Sequence, residues 1–491
     1  MFAIAKQKHM YKIATAISLI LISFHGNAQN PIKINSKIYS PKQLHRDIDY
    51  ALKKFESIHP NFYKETSKTI VKERFNLLKA KITKPMARFD FMNLFMPVAF
   101  NNIHDGHNYT FSLEEEFKSY IQSGGKLFPV PVIIKNRKLY CNSIKSDVPY
   151  NAKIVQVNNK PAKEIIEAVL SGYSNESDVL EEAMFSDWFN GSYWQTFGGF
   201  DAYKIEYFAP GSLTKKTIVI PGLSETQIES IRVKVNKADY EFEEQPALKT
   251  GVFKFNSAEG DLKVLRKFCD SVFNIIKQKE YTNLVIDIRN NPGGTTRANN
   301  IIFEYITDKP VSQFDSIETR ISRERKAAFI RGNKKYAGWF KWYHYLYYPI
   351  YIRTNKERKQ IMTAKTGSFI TEKVPAMKPA DNPLKFKGKL YLLTSARTYS
   401  AATGMAVAFK CYKLGPVIGQ ETGQPLVSTA DWADFTLPNT KIRCAASVSR
   451  FTWACGKDDG HGVIPDHIIK PGNSDKDNEM VFVLEMIKNE K

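Results

Sequence analysis

A turn with two adjacent glycines follows an apolar run at residues 283–288. Gly293 and Gly294 have no side chains, so the backbone N–H groups of the turn can approach a ligand and donate to an oxyanion. A Gly-Gly turn after a strand is often no more than a tight connection. Its interpretation as a donor site therefore depends on a companion segment.

The companion segment is a second apolar run, at residues 388–394, followed after a short loop by Ser400, Ala401 and further small residues. This pattern predicts a buried strand and a helix that begins at Ser400. A serine at a helix start is commonly an N-cap. The same position suits a nucleophile, because the N–H of Ala401 and the positive end of the helix would stabilise an oxyanion.

Three histidines are candidates for the general base that such a serine needs. His107 ends an Asp-Gly-His sequence, His104 lies three residues before it, and His461 ends a second Asp-Gly-His that begins at Asp459. Imidazole titrates near neutral pH, which suits proton transfer, although each histidine could instead be structural. His104 and His107 could also be a metal pair. No third ligand with metal-site spacing accompanies them, so we expect no metal and no cofactor.

The order of these motifs resembles a known family. Residues 287–294, 400–402 and 416–423, with the ending Gly-Val-Ile-Pro-Asp at 462–466, are similar to the C-terminal processing (tail-specific) and tricorn-core serine peptidases. The resemblance covers most of the chain after residue 28. It implies a multi-domain α/β protein with a ClpP/crotonase-like catalytic core.

The resemblance also implies roles for the candidate residues. Ser400 would be the nucleophile, and the oxyanion hole would combine the N–H of Ala401 with an N–H of the Gly293-Gly294 turn. In the processing branch a lysine about 25 residues after the serine activates it, but Pro425 stands at that position in this chain.

The tricorn-like branch uses a histidine instead of the lysine, and this implies that His107 is the base. In that branch an acidic residue just before the final motif belongs to the charge network. Asp459 stands at the matching position. His461 and His104 remain alternative bases.

The rest of the chain must position these residues. Helical periodicity over 41–58, 67–82 and 89–103 predicts a helical cap within 29–118, and short apolar runs predict a strand-rich domain at 119–235 that the resemblance makes PDZ-like. Alternating strands and helices predict an α/β core at 236–491. The stretch 174–187 is polar and acidic, and we interpret the region near Ser224 as a linker before a boundary near residue 235, and 315–377 as an insertion near the site.

Composition limits the possible partners and compartments. The net charge of +21 is spread along the chain, without arginine-rich runs, so nucleic acid is not the expected partner. Residues 1–28 combine three lysines with a short apolar run, which predicts a cleaved export signal. The mature protein would then be periplasmic or extracellular and would have no stable membrane span. The alternative is that this segment stays uncleaved as a membrane anchor. Five cysteines are too few for a disulfide scaffold, although Cys444 and Cys455 could pair across a hairpin.

The expected function is that of a serine-type peptidase that cleaves peptides or unfolded proteins through an acyl-enzyme. Two alternatives stay open. The same scaffold could bind peptides or other ligands without catalysis, since a fold does not fix a function. Paired backbone donors on a crotonase-like core could also serve acyl-CoA substrates, although predicted export argues against an intracellular thioester.

Overall fold

A computed structural model describes residues 36–101, 103–111, 113–174, 176–232, 238–337, 350, 356–469 and 477–490. The predicted export signal at 1–28 lies outside these residues. None of the helices described has both the length and the apolar character needed to cross a bilayer.

The N-terminal part is mainly helical. Its elements are β1 (Ile38–Tyr39), α1 (Pro41–Ile58), α2 (Lys68–Lys81), β2 (Met86–Ala87), α3 (Arg88–Phe100), β3 (Tyr109–Thr110) and α4 (Glu114–Gln122). The three helices predicted before residue 104 are thus confirmed. The first begins with a proline after Ser40, whose backbone N–H donates to the Gln43 side chain at 2.9 Å.

The middle part contains an antiparallel sheet. Its elements are β4 (Val132–Lys135), β5 (Lys138–Cys141), β6 (Lys153–Val157), β7 (Lys160–Pro161), α5 (Ala162–Leu170), α6 (Asp178–Phe197), β8 (Ala202–Phe208), β9 (Lys215–Pro221) and α7 (Glu225–Ile231). The strands lie in the order β4-β5-β6-β8-β9, and β7 pairs with β6. The strand-rich pattern predicted for this part is present.

Two helices of this part begin where the sequence shows a polar, acidic stretch (174–187) and where it predicted a linker (near Ser224). The acidic start of α6 is the first turn of a helix whose later residues, including Phe185 and Phe189, are buried in the core of the middle part. Ser224 caps α7 and forms a capping box with Gln227. In both cases acidic and polar residues mark a helix start, where they satisfy free N–H groups and favour the dipole.

The C-terminal part alternates strands and helices. Its elements are β10 (Tyr240–Gln245), β11 (Thr250–Phe255), α8 (Leu262–Gln278), β12 (Asn283–Asp287), α9 (Thr296–Ile306), β13 (Phe314–Arg320), α10 (Arg323–Ala337), α11 (Lys356–Thr363), β14 (Phe369–Lys373), β15 (Lys389–Thr394), α12 (Ala401–Tyr412), β16 (Val417–Gly419), β17 (Val427–Thr436), β18 (Arg443–Trp453), β19 (His467–Ile468) and α13 (Asn478–Asn489). A mixed α/β protein with several sheets results, as predicted.

Two sheets organise this part. The first has the order β10-β11-β12-β15-β16-β19 and is parallel from β11 onward. The apolar faces of α8, α9, α12 and α13 pack on it. Every residue of β12 is buried, as is usual in parallel sheets. The second is antiparallel, in the order β14-β13-β18-β17, and β3 adds to it beside β18.

The N-terminal helices share a hydrophobic core with this second sheet. Phe55 of α1 meets Phe435 of β17 edge to face, with ring centroids 5.2 Å apart. The buried Asp47 accepts hydrogen bonds from the backbone of Asn439 and Thr440, in the β17–β18 turn. The helices therefore pack directly on the C-terminal part, which fixes the loop that follows α3.

The cysteine pairing differs from the expectation. Cys455 is bonded to Cys411 of α12, with Cα atoms 5.9 Å apart, and Cys444 is a buried free thiol. The pairing of Cys444 with Cys455 was wrong because Cys444 lies inside β18 opposite Phe435, whereas Cys455 lies beyond the end of that strand. The disulfide thus ties α12 to the end of β18.

Candidate active site

The site forms where two neighbouring parallel strands end. Asp287 of β12 lies opposite Leu393 of β15, so the carboxyl ends of these strands are level at one edge of the sheet. The turn after β12 and the loop after β15 therefore emerge side by side. Ligands bind at this edge in open α/β sheets.

Hydrogen bonds connect the loop after β15 to the turn after β12. Three of them run from the loop to backbone oxygens of the turn: Ser395 Oγ to Arg289 O (2.5 Å), Thr398 Oγ1 to Ile288 O (3.0 Å) and Tyr399 N to Asn291 O (3.1 Å). Because backbone oxygens accept all three, the relative position of the two segments is fixed just before Ser400.

Ser400 occupies a strained position between this loop and α12. Its φ of +52° and ψ of −123° lie in a region that non-glycine residues rarely adopt. Such strain persists only where surrounding contacts impose it, and it is common at active sites. Ser400 is half-buried, and its hydroxyl does not cap the helix. The side chain is thus held at the turn with its hydroxyl available.

Gly293 lies directly against the serine. A Cβ built on Gly293 would come 2.6 Å from Ser400 Cβ and 3.0 Å from Ala401 N, whereas one on Gly294 would meet the backbone of Ala258. Both glycines have positive φ values, +106° and +133°. This close approach requires residues without side chains.

The two backbone donors can be identified from the hydrogen bonds. The N–H of Gly293 donates to Asn291 Oδ1 at 2.9 Å. In the part of the chain that the structure describes, the N–H groups of Gly294 and Ala401 have no acceptor. The free pair beside Ser400 therefore consists of Ala401 and Gly294, and Asn291 holds the turn in shape.

A turn before β3 carries His107 to the same place. Its imidazole stacks on the ring of Tyr399, the residue before Ser400, with centroids 5.5 Å apart and planes 22° apart. His107 Nδ1 lies 3.2 Å from the Tyr399 hydroxyl. The pairing of β3 with β18 and the bond from Ser447 N to Asn108 Oδ1 anchor this turn.

Asp105 is fully buried, and its carboxylate holds the turn that carries His107. One carboxylate oxygen accepts the backbone N–H of His107 at 2.8 Å and lies 3.7 Å from its Nδ1. The other accepts from His59 Nε2 at 3.0 Å and from the Thr429 hydroxyl. Burial alone would raise the pKa of Asp105, but the hydrogen bonds from His107 and His59 hold it well below its usual value.

Glu176 completes the cluster from the loop before α6. It accepts the hydroxyl hydrogen of Tyr399 at 2.8 Å. Because Tyr399 donates to Glu176, its oxygen can only accept from His107, which assigns the hydrogen of the neutral imidazole to Nδ1 and leaves Nε2 as a base. Burial raises the pKa of Glu176 to about 7, and the nearby Asp105 charge adds to this effect.

The pKa of His107 is raised above its ordinary value. Burial by itself disfavours the imidazolium, but the hydrogen bond and charge of Asp105, with the charges of Glu176 and Asp431, outweigh it. The cluster therefore stabilises a proton that arrives on His107. Asp105, His107 and Glu176 also offer three donor atoms within 4.8 Å, a set that a divalent cation could bind, but each already takes part in the hydrogen bonds that orient the imidazole.

The other predicted residues lie elsewhere. Asp459 is exposed and accepts the backbone N–H of His461 at 3.1 Å. His461 is exposed and pairs with Glu421 at 3.1 Å. His104 is exposed as well. Within the described residues, His107 thus contacts Tyr399, which directly precedes Ser400, whereas Asp459, His461 and His104 make no such contact.

Sequence reasoning missed Asp105, Tyr399 and Glu176 as parts of the site. The sequence does contain a sign of the role of Asp105: an aspartate two residues before a histidine can accept the backbone N–H of that histidine. No sequence pattern indicates Glu176, because only the tertiary fold brings it to the site.

A hydroxyl on a strained turn beside two free backbone donors is an arrangement that acyl transfer uses, so fold and site together define a serine hydrolase. Residues 249–469 match the model of peptidase family S41. This part of the chain belongs to peptidase family S41, which confirms the family predicted from the sequence, and the chain is a serine-type peptidase.

Solved structures resemble most of the chain. The structure of mature CPAF is 11% identical, with a TM-score of 0.58, and the match covers 87% of this chain and 92% of that one. Mature CPAF complexed with lactacystin is 12% identical, with a TM-score of 0.58 and coverage of 91% and 98%. The photosystem II D1 C-terminal processing protease is 14% identical, with a TM-score of 0.45 and coverage of 90% and 97%. At these identities the likeness concerns the fold alone. No curated protein matched the chain.

Proposed function

We propose that the chain hydrolyses peptide bonds in peptides or unfolded proteins through an acyl-enzyme on Ser400. The observation that carries the proposal is the apposition of the glycine turn and the serine, with 2.6 Å between a Cβ built on Gly293 and Ser400 Cβ. This contact places free backbone N–H groups beside a hydroxyl on a strained turn. Such donors stabilise the oxyanion of an acyl-transfer intermediate.

The reaction would begin when His107 Nε2 takes the proton of the Ser400 hydroxyl as its oxygen bonds to the substrate carbonyl carbon. The N–H groups of Ala401 and Gly294 would hold the resulting oxyanion. His107 would then give the proton to the leaving amine as the C–N bond breaks, which leaves an ester on Ser400. Water would then attack the ester carbonyl as His107 takes its proton, and His107 would return that proton to Ser400 Oγ as the acyl C–O bond breaks, which releases the carboxylic acid and restores the serine.

In this mechanism Asp105 orients the imidazole, and we assign it the role first expected of Asp459. It accepts the His107 backbone N–H and lies near Nδ1. Its charge stabilises the imidazolium that forms during the reaction, as the aspartate of a serine triad does. Glu176 supports the same charge through the Tyr399 hydroxyl. The use of a histidine rather than a lysine would place the chain in the tricorn-like branch.

The other parts of the chain would present the substrate. We propose residues 29–118 as a helical cap, 119–235 as a PDZ-like module and 236–491 as the ClpP/crotonase-like catalytic core. Support comes from the separate hydrophobic core of the middle part and its sheet of six antiparallel strands. PDZ modules bind extended peptides along a sheet edge. Chymotryptic peptides that fold alone when cut near residue 118 or 235 would support these boundaries, and cleavage within β6 or β8 instead would contradict them.

We also propose that the protein is exported to the periplasm or beyond the cell. The Cys411–Cys455 disulfide supports this, because disulfides form and persist in oxidising compartments. N-terminal sequencing of the protein from expressing cells should find a start near residue 29. A chain that retains residues 1–28 and reduced Cys411 would contradict export.

The test of the proposed function compares wild type, Ser400→Ala and a control, Ser119→Ala, which changes an exposed serine of α4. Wild type and control should cleave an unfolded protein substrate, and Ser400→Ala should not. Lactacystin, bound in a structure of CPAF, is a useful inhibitor to include. Wild type that binds peptides tightly without cleaving them would overturn the proposal in favour of a silent binding protein.

A further inference from the structure

A large cavity of about 740 Å³ lies beside the candidate site. The segment around β3, α6 and α7 form its walls. Most of its large lining side chains are aromatic, among them Phe111, Phe117, Phe185, Trp188 and Trp194. Its size falls within the range of cavities that bind small ligands or several residues of a peptide.

The cavity borders the turn that carries His107. Gly106 and Asn108, on either side of His107, line it. On the opposite wall, Asp187 of α6 binds the Arg397 guanidinium at 2.9 Å, and Arg397 lies three residues before Ser400. A peptide whose carbonyl lies at Ser400 can therefore place a nearby side chain in the cavity.

The chemistry of the walls defines the occupant. Trp188 is 59% exposed, although a tryptophan in water exposes much apolar surface. Of the charged lining residues, Asp187, Glu225 and Glu229 are exposed. The fourth, Arg232, is mostly buried and is paired with Glu229 and the Asn190 side-chain oxygen. We propose that the cavity binds a large apolar side chain of the substrate, aromatic ones best, close to the scissile bond. This inference rests on the proposed function and adds its substrate preference.

Gly191 offers a way to close the cavity without damage to the fold. It lies in α6 and lines the cavity, and a Cβ built on it meets nothing within 4 Å. Leucine is a better helix former than glycine, so Gly191→Leu should fold at least as stably as wild type. Its side chain would occupy the space that the substrate needs. Gly191→Ala is the matched control, because it adds one methyl group only.

The experiment measures kcat/KM for peptides that differ at one residue near the cleaved bond: Phe, Leu, Ala or Glu. Hydrophobic pockets discriminate by about 10–200-fold per methylene, so wild type should prefer Phe over Ala at least tenfold. Gly191→Leu should lose this preference, and Gly191→Ala should keep it. Trp188→Ala should weaken it, whereas Phe369→Ala, an exposed aromatic residue of β14 away from the cavity, should not.

Labelling of Ser400 by a small phosphonate separates the two proposals. The probe is too small to need the cavity, so Gly191→Leu should be labelled at the wild-type rate. An active, labelled wild type without apolar preference, or a Gly191→Leu variant that keeps the preference, would overturn this inference alone. A wild type that is neither labelled nor active would overturn the proposed function and this inference with it.

Discussion

The contact between Gly293 and Ser400 gives a quantitative prediction for Gly293→Ala. The new Cβ would lie 2.6 Å from Ser400 Cβ, and ordinary contact begins at 3.4 Å, so one of the two turns must move by 3.4 − 2.6 = 0.8 Å. A misplacement of about 1 Å can cost about 10²-fold in rate. Loss of an oxyanion donor costs about 10²–10³-fold. We therefore expect kcat/KM to fall by about 10²-fold or more.

The matched control is Gly211→Ala. Gly211 also has a positive φ, +72°, but a Cβ there meets nothing within 4 Å. Both variants should lose about 1–2 kcal/mol of unfolding free energy from backbone strain, and Gly293→Ala should lose more because of its steric clash. Urea unfolding and peptide hydrolysis measure the two quantities. Near-wild-type kcat/KM in a folded Gly293→Ala variant would refute the apposition of the glycine turn and the nucleophile.

Two further predictions concern the base. His107→Ala should lower kcat by about 10²–10⁴-fold while His461→Ala and His104→Ala stay active; loss of hydrolysis in His461→Ala alone would refute the assignment. The pKa of His107 is raised above its ordinary value of 6.5, so the imidazole stays charged to a higher pH. Because a charged imidazole cannot act as the base, wild-type activity should fall as the pH is lowered, with a midpoint above 6.5. Asp105→Asn removes the charge that raises the pKa of His107. The midpoint of the pH–activity profile should therefore move to lower pH, and the maximal rate should drop. A midpoint equal to that of wild type would contradict the role of Asp105.

The sequence predicts those parts of the site that lie on short, regular segments. The runs at 283–288 and 388–394 predict buried strands, which the structure has at Asn283–Asp287 and Lys389–Thr394, and each leads into a turn whose residue types suit its role. The strained φ of Ser400 could not be predicted, because serine is not a residue that favours positive φ. It follows from the loop bonds to Ile288 and Asn291.

The surroundings of His107 were beyond prediction for a different reason. Asp105 is close in sequence, but its partners His59 and Thr429 lie 46 and 324 residues away. Glu176 lies in an acidic stretch whose composition suggests an exposed connection. The fold instead places it in contact with the Tyr399 hydroxyl and near Asp105 and His107, and no local pattern contains that information.

The central claim is that Ser400 is the nucleophile, and its most direct test is the site of covalent modification. After reaction with a fluorophosphonate, peptide mapping by mass spectrometry should find the added mass on the peptide that contains Ser400, and the reaction should slow as the pH falls through the His107 pKa. Modification of another residue, or undiminished peptide hydrolysis without any modification of Ser400, would contradict the account.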